Sequence, residues 1–398
     1  MKNRKLTIFS GLIVSVIGLI GLSSCRKDMP DLNSPAEYSN ASFSEIFESF
    51  WNGMNNNYVF WDVDTTDWDR VYKKYKPLFE KLSVGDEVDV RQSYTYFKEM
   101  TSGLIDGHYY ITFKSQILAD SARLNPSLDR IRARRDFRQP IGFKHFLVSI
   151  PDRYLDPGFF REVVMKDSLE SLIQAVSGTI SNDIAYLRFD KFDLKTTAHT
   201  KPGFAALMKN FFDLIQKNKQ PLGIIIDVRG NFGGYLDDLD FLLGRMIDKP
   251  LLFGYTKTKL NNNRLDYSPW VPVFVSPYKD ARAITCPVVV LADRYSISMS
   301  EITAAAVKAL PKGHFIGERT WGGMGPLYSN NMFNAGQYST SFMSLVYTSS
   351  LQFKGIHGES FEGVGFSPDT ELKIDFNGLA HGKDNQLEAA IRWINSNQ

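Results

Sequence analysis

Cysteine is nearly absent from this chain: 398 residues hold two, Cys25 and Cys286, too few for a disulfide framework. Histidine is scarce too. The six are scattered, none pairs at metal-ligand spacing, and H-E-x-x-H does not occur, so the sequence predicts no catalytic metal and no cofactor. A glycine-rich turn at residues 230–234 has neither G-x-G-x-x-G order nor a Walker lysine, which argues against nucleotide binding. Excess charge is also missing, since 46 Lys+Arg against 44 Asp+Glu leave a formal +2. Nothing there demands nucleic acid, and the basic run "IRARRDFR" (131–138) is too short to reverse that. It reads as a solvated or peptide-facing strand. No internal repeat is evident. What remains is an ordinary globular composition, 43% hydrophobic and 23% charged, in a chain long enough for two structural units.

The N-terminus is more specific. "MKNRKLTIFSGLIVSVIGLIGLSSC" places Lys2, Arg4 and Lys5 before an unbroken apolar run that ends in Leu22-Ser23-Ser24-Cys25. It resembles a bacterial lipoprotein signal, in which small residues mark the cleavage site and the cysteine takes lipid, so residues 1–25 read as signal and Cys25 as the lipidated residue. A plain anchor helix is the other reading, because the run is almost long enough to span a bilayer. Either reading puts the mature domain outside the cytoplasm. Residues 26–42 read as a polar tether. Cys286, inside an apolar stretch, reads as a small core residue.

Apolar residues at Phe43, Ile46, Phe47, Phe50 and Trp51 have helical spacing, Asp67 supplies a helix start, and "DVRQSYTYFKEMTSGL" continues the pattern. Residues 43–108 therefore read as a helical subdomain whose aromatics form its core. Residues 109–180 change texture, with "YYITFKSQI", "IGFKHFLVSI" and "REVVMK" strand-like and the remainder irregular. From 181 to 398 short apolar strands alternate with helical runs, which predicts an α/β core with a largely parallel sheet.

Within that core, "ADRYSISMSEITAAAVKAL" sets Ser296, Ser298 and Ser300 in alternation at the mouth of a helix. Serine caps helices well, so these hydroxyls can simply satisfy backbone N–H groups. Alternatively, one is a nucleophile whose oxyanion sits near the positive end of the helix. "IIIDVRGNFGGYLDD" runs a buried strand into a glycine turn, where backbone N–H groups can point into a cleft.

Taken in order, "DVRGNFGG", "YSISMSE", "GERTWGG" and "EGVGFSPD" resemble peptidase family S41, the C-terminal processing and tricorn-type serine proteases. "GLIDGHYYITF" and the helical segment before it resemble the family's N-terminal portion, and no convincing PDZ domain is visible. The resemblance implies an α/β, ClpP/crotonase-like catalytic core behind the helical subdomain. It makes Ser298 the nucleophile, with Ser296 and Ser300 as packing or capping neighbours. The oxyanion donors it implies are Met299 N–H and one from the glycine turn, Gly233 or else Gly234. The lysine used by the C-terminal processing branch falls at Gly323, which can move no proton. Lys308 and Lys312 are the nearby substitutes. The tricorn-like branch uses serine, histidine and glutamate, and the "DGH" motif then makes His108 the base, with His357 the runner-up. Glu362 would orient it, with Glu359 and Asp106 as alternatives. Some relatives carry a second serine beside the histidine, where this chain has Gly107.

The implied function is a serine endopeptidase of the cell envelope, acting on peptides or unfolded protein through an acyl-enzyme and membrane-anchored through Cys25. Two rivals stand beside it. One is an inactive peptide-binding lipoprotein on the same scaffold, and the other an esterase using the same triad.

Overall fold

The computed structural model describes residues 41–121, 123–165, 172–216, 220–260, 263–327 and 336–397. The N-terminal signal, Cys25 and most of the tether fall outside these residues. Among the described residues, no helix is long and apolar enough to cross a membrane.

Three helices come first: α1 (Phe43–Asn57), α2 (Trp68–Phe79) and α3 (Glu87–Thr101). Each starts on a side-chain cap, from Ser42, Asp67 and Asp86 respectively. Their apolar faces meet in an aromatic core of Phe43, Phe47, Phe50, Trp68, Phe79 and Phe97. Next come strand β1 (Tyr110–Phe113), helix α4 (Pro126–Arg132), and a π-helical turn at His145–Ser149 that leads into α5 (Ile150–Tyr154).

Two expectations change here. "IGFKHFLVSI" is helical rather than a strand. Its β-forming side chains are overridden because Phe146 and Ile150, four apart, bury one helical face against the sheet residues Val176 and Tyr186. "IRARRDFR" is the end of α4 and a loop, not a strand. Two of its four arginines are partnered: Arg134 binds Asp136, and Arg138 lies 3.3 Å from Asp293 and also reaches Glu318.

The core then follows as β2 (Phe160–Val164), β3 (Ile173–Ile180), β4 (Ile184–Phe189), α6 (Leu194–Thr200), α7 (Pro202–Gln216), β5 (Gly223–Asp227) and α8 (Asp237–Leu243). After it come β6 (Leu251–Lys257), β7 (Val271–Val275), β8 (Val288–Ala292), α9 (Met299–Lys308), β9 (Gly313–Gly317), β10 (Met343–Tyr347), β11 (Gln352–Gly355) and β12 (Thr370–Glu371), with α10 (Phe376–Ala380) and α11 (Asn385–Ser396) closing the chain.

Seven strands form the main sheet in the order β12-β9-β8-β5-β4-β3-β2. From β4 to β12 the neighbours are parallel, and β2 and β3 extend the sheet antiparallel. Both faces are covered, which is why β5 and β8 are apolar at every position but the Asp227 end. Ile224, Ile226, Val288 and Val290 pack toward α7 and α9, while Ile225, Val289 and Leu291 pack toward α11. A three-stranded sheet, β11-β6-β7, lies beside the core. The antiparallel pair β1-β10 joins the helical subdomain to the late part of the chain.

Beyond β5, the motif arginine is a buried anchor. The Arg229 guanidinium, fully buried, binds Asp227 at 2.6 and 2.9 Å and Asp384 at 2.9 Å through two nitrogens. Tyr186 and His145 complete the cluster at 2.9 and 2.8 Å. It ties the end of β5 to the start of α11 and fixes where the glycine turn begins. Removing one partner of a buried charge network strands the others, so Arg229→Met is expected to cost about 3–5 kcal/mol of unfolding free energy in a denaturant titration.

Candidate active site

Strand β8 delivers the chain to the three serines, and the alternation has a structural logic. The Ser296 hydroxyl donates to the Val228 carbonyl at 2.8 Å and accepts the Asp293 N–H at 2.9 Å. The Ser300 hydroxyl donates to the Asn231 carbonyl at 2.8 Å. Both outer serines are buried and bind the loop after β5. Ser298 alone faces the pocket described below.

Ser298 has φ +61° and ψ −120°, a conformation that L side chains rarely adopt and that costs about 1–3 kcal/mol. Its N–H is held by the Gly323 carbonyl at 3.1 Å and by Glu301 Oε2 at 3.1 Å. Glu301 is fully buried and also accepts the Gly322 and Gly323 N–H groups, each at 2.8 Å, and the Thr320 hydroxyl. Burial pushes its carboxyl up, against the pull of those donors.

The glycine turn presses on this serine. A Cβ on Gly233, whose φ is +84°, would lie 2.6 Å from Ser298 Cβ. The Gly233 N–H is occupied, donating to Asn231 Oδ1 at 2.8 Å. The N–H groups of Gly234 and Met299 donate to no group among the described residues, and both residues line the pocket with Ser298. Of the two candidate glycines, Gly234 is the one with a free donor.

His108 sits just before β1, and the β1-β10 pairing carries it to Ser349, just after β10. The Ser349 hydroxyl lies 3.4 Å from His108 Nδ1 and 2.9 Å from Asp106 Oδ1. Asp106 Oδ1 itself is 4.0 Å from Nδ1. His108 Nε2 is buried and has no hydrogen-bond partner among the described residues. Burial holds the imidazole below its ordinary range, opposed by the nearby Asp106 charge. Glu362 accepts the Gly107 N–H at 2.7 Å on one oxygen and the Met324 and Gly325 N–H groups at 2.9 Å on the other. Burial, and then the charge of Asp106, push its carboxyl well up.

Asp106, His108 and Glu362 each bring a ligand-type atom within 4.8 Å of the others. Their donor set suits a proton rather than a metal, because both oxygens of each carboxylate already accept N–H or O–H groups.

Two glycines explain the form of this site. A Cβ on Gly107 would meet the Gly322 carbonyl oxygen at 2.4 Å, so a serine beside the histidine does not fit. A Cβ on Gly323 would lie 3.0 Å from Ile297 Cδ1 and Cγ1 and in ordinary contact, 3.4 Å, with His108 Cε1, so position 323 borders the imidazole.

Ser298 opens on a pocket of about 520 Å³ whose walls include Leu239, Phe253, Ile302, Met324 and Phe353. The other candidates lie elsewhere. Lys308 pairs with Asp369 at 2.7 Å, His357 is exposed on a turn, and Glu359 packs on Gly355. Lys312 and Cys286 line a different pocket, where burial pushes the thiol up to about 11. Sequence reasoning missed the roles of Glu301, Asn231 and Ser349. Glu301 had a signal, the S-x-x-E spacing from Ser298. Ser349 had none, because only the tertiary pairing brings it to the histidine.

Comparison with known proteins gives this geometry its context. Residues 183–372 match the profile of Peptidase family S41, and residues 39–89 match that of the Tricorn protease C1 domain. The S41 match thus takes in 190 of the 398 residues. Ser298, the glycine turn, Ser349 and Glu362 all lie inside the stretch that matches S41, whereas Asp106 and His108 fall between the two matched stretches. The chain is 23% identical to Tricorn protease homolog 1 of Streptomyces coelicolor over 88% of its length and 35% of that protein. It is 26% identical to the tricorn protease of Thermoplasma acidophilum over 46% of its length and 15% of that protein. It thus spans between 13 and 35% of the tricorn-type relatives it matches. The fold superposes on a crystal structure of a candidate peptidase from Parabacteroides merdae with TM-score 0.61 and 23% identity, covering 89% of this chain and 97% of that one. The helical subdomain and the sheet-based core belong to that shared fold.

Proposed function

We propose that the chain is a serine endopeptidase that cleaves peptides or unfolded protein after an apolar residue, with Ser298 as nucleophile and His108 as base. The observation that carries this is the meeting of a strained, pocket-facing serine with two free N–H groups beside it. In the reaction, Ser298 Oγ attacks the scissile carbonyl carbon while His108 Nε2 takes the hydroxyl proton. The oxyanion receives the Gly234 and Met299 N–H groups, each donor contributing about 3 kcal/mol. The same proton passes to the leaving amine as the C–N bond breaks and the acyl ester remains. Water then attacks the ester, again giving its proton to His108, and Ser298 is released. The apolar walls around Phe253 and Phe353 favour an apolar side chain on the acyl side of the bond.

The N-terminal sequence supports a place for the enzyme in the cell envelope, with lipid on Cys25. Metabolic labelling with palmitate is expected to mark the wild type and not Cys25→Ala, and labelling of both would overturn the anchor.

A fluorophosphonate probe is expected to add once to the wild-type domain and not to Ser298→Ala, read by intact mass, with peptide cleavage lost in the same variant. No adduct on folded wild type would favour a peptide-binding role, and turnover of esters but not peptides an esterase. Because only neutral His108 accepts the serine proton, and its site holds it below the ordinary value of about 6.5, kcat/KM should be flat at neutral pH and fall on a limb below ~6.5. His108→Ala should abolish activity rather than move that limb.

A further inference from the structure

We propose that Asp106, acting through the Ser349 hydroxyl, is the carboxylate that orients His108, and that Glu362 instead clamps together the two segments that carry the site. This rests on the reading of His108 as the base and departs from the assignment that family resemblance gives to Glu362.

The hydrogen bonds fix the direction of the relay. Two N–H and two hydroxyl groups converge on Asp106, which is fully buried: His108 N–H at 2.9 Å and Ser349 Oγ at 2.9 Å on Oδ1, and Thr348 Oγ1 and Ser349 N–H, both at 2.8 Å, on Oδ2. A serine hydroxyl has one proton. With that proton on Asp106, the Ser349 oxygen presents only a lone pair to His108 Nδ1, at 3.4 Å. The imidazole must then carry its hydrogen on Nδ1, leaving Nε2 free to accept. Nε2 is the atom buried without a partner. When His108 takes up the serine proton, the positive charge that forms lies 4.0 Å from Asp106 Oδ1.

Glu362 is differently employed. Its oxygens face three backbone N–H groups, one from Gly107 and two from Met324 and Gly325. Those bonds join the histidine segment to the loop whose Gly323 carbonyl holds Ser298. The titratable groups around the imidazole are Asp106 and Glu362, with Glu301 beyond Glu362 and Tyr58, Tyr109 and Tyr347 around Asp106. Asp106 and Ser349 are positioning residues, since neither is placed against the substrate.

The test reads the histidine directly. In the Ser298→Ala background, two-dimensional ¹⁵N NMR should show His108 as the Nδ1–H tautomer. Adding Ser349→Ala removes only the hydroxyl and keeps the Ser349 N–H bond to Asp106. It should mix the tautomers and lower the imidazole midpoint by roughly half a unit or more, because the imidazolium loses its hydrogen-bonded path to the carboxylate. In the active enzyme, Ser349→Ala should lower kcat about 10- to 100-fold with KM within about 2-fold, since proton transfer and not binding is affected. Glu362→Gln, where folded, should keep the Nδ1–H tautomer. An unchanged tautomer, midpoint and kcat in Ser349→Ala would overturn the relay, as would a tautomer lost in folded Glu362→Gln alone. The NMR readout needs no turnover, so an enzyme that cleaves nothing would sink the proposed function while leaving this assignment separately decided.

Discussion

The Glu301 carboxylate is out of water, and a buried charge or carboxyl survives only where donors surround it. The donors it finds are the N–H of Ser298, the N–H groups of Gly322 and Gly323, and the Thr320 hydroxyl. The group that needs solvating thus gathers Ser298 and the loop opposite it into one piece. The left-handed backbone at Ser298 is affordable because these bonds over-determine it. Gly323 takes part twice, donating to Glu301 and accepting from Ser298.

A second constraint comes from chain topology. Ser298 stands on the parallel sheet, while His108 stands at the end of the helical subdomain, about half the sequence away. The β1-β10 pairing, the Glu362 clamp and the Trp321 bond to the Gly107 carbonyl at 3.3 Å are what bring the two together. The candidate site therefore draws on both the helical subdomain and the sheet, and neither carries all of its residues.

This division explains what could be read in advance. The α/β alternation, the helical subdomain and the uniformly apolar strands were legible because each is written in local periodicity and caps. Ser298 was singled out by its place between a buried strand and a helix, and the family motifs made His108 its partner. Segment 141–150 was not legible, because its β-branched and aromatic residues mimic a strand until the sheet beneath them is known. The distinction between Gly233 and Gly234 was hidden in one side chain, Asn231, which occupies the nearer donor. Ser349 was invisible, since a serine at the end of a strand carries no mark of the histidine it will meet more than two hundred residues upstream.

Gly323 and the His108 imidazole share one small space. A Cβ at position 323 would press on Ile297 at 3.0 Å and touch the imidazole at 3.4 Å. Any side chain introduced at 323 makes its first contacts with Ile297 and the imidazole, so a substitution at this one backbone position is felt at both.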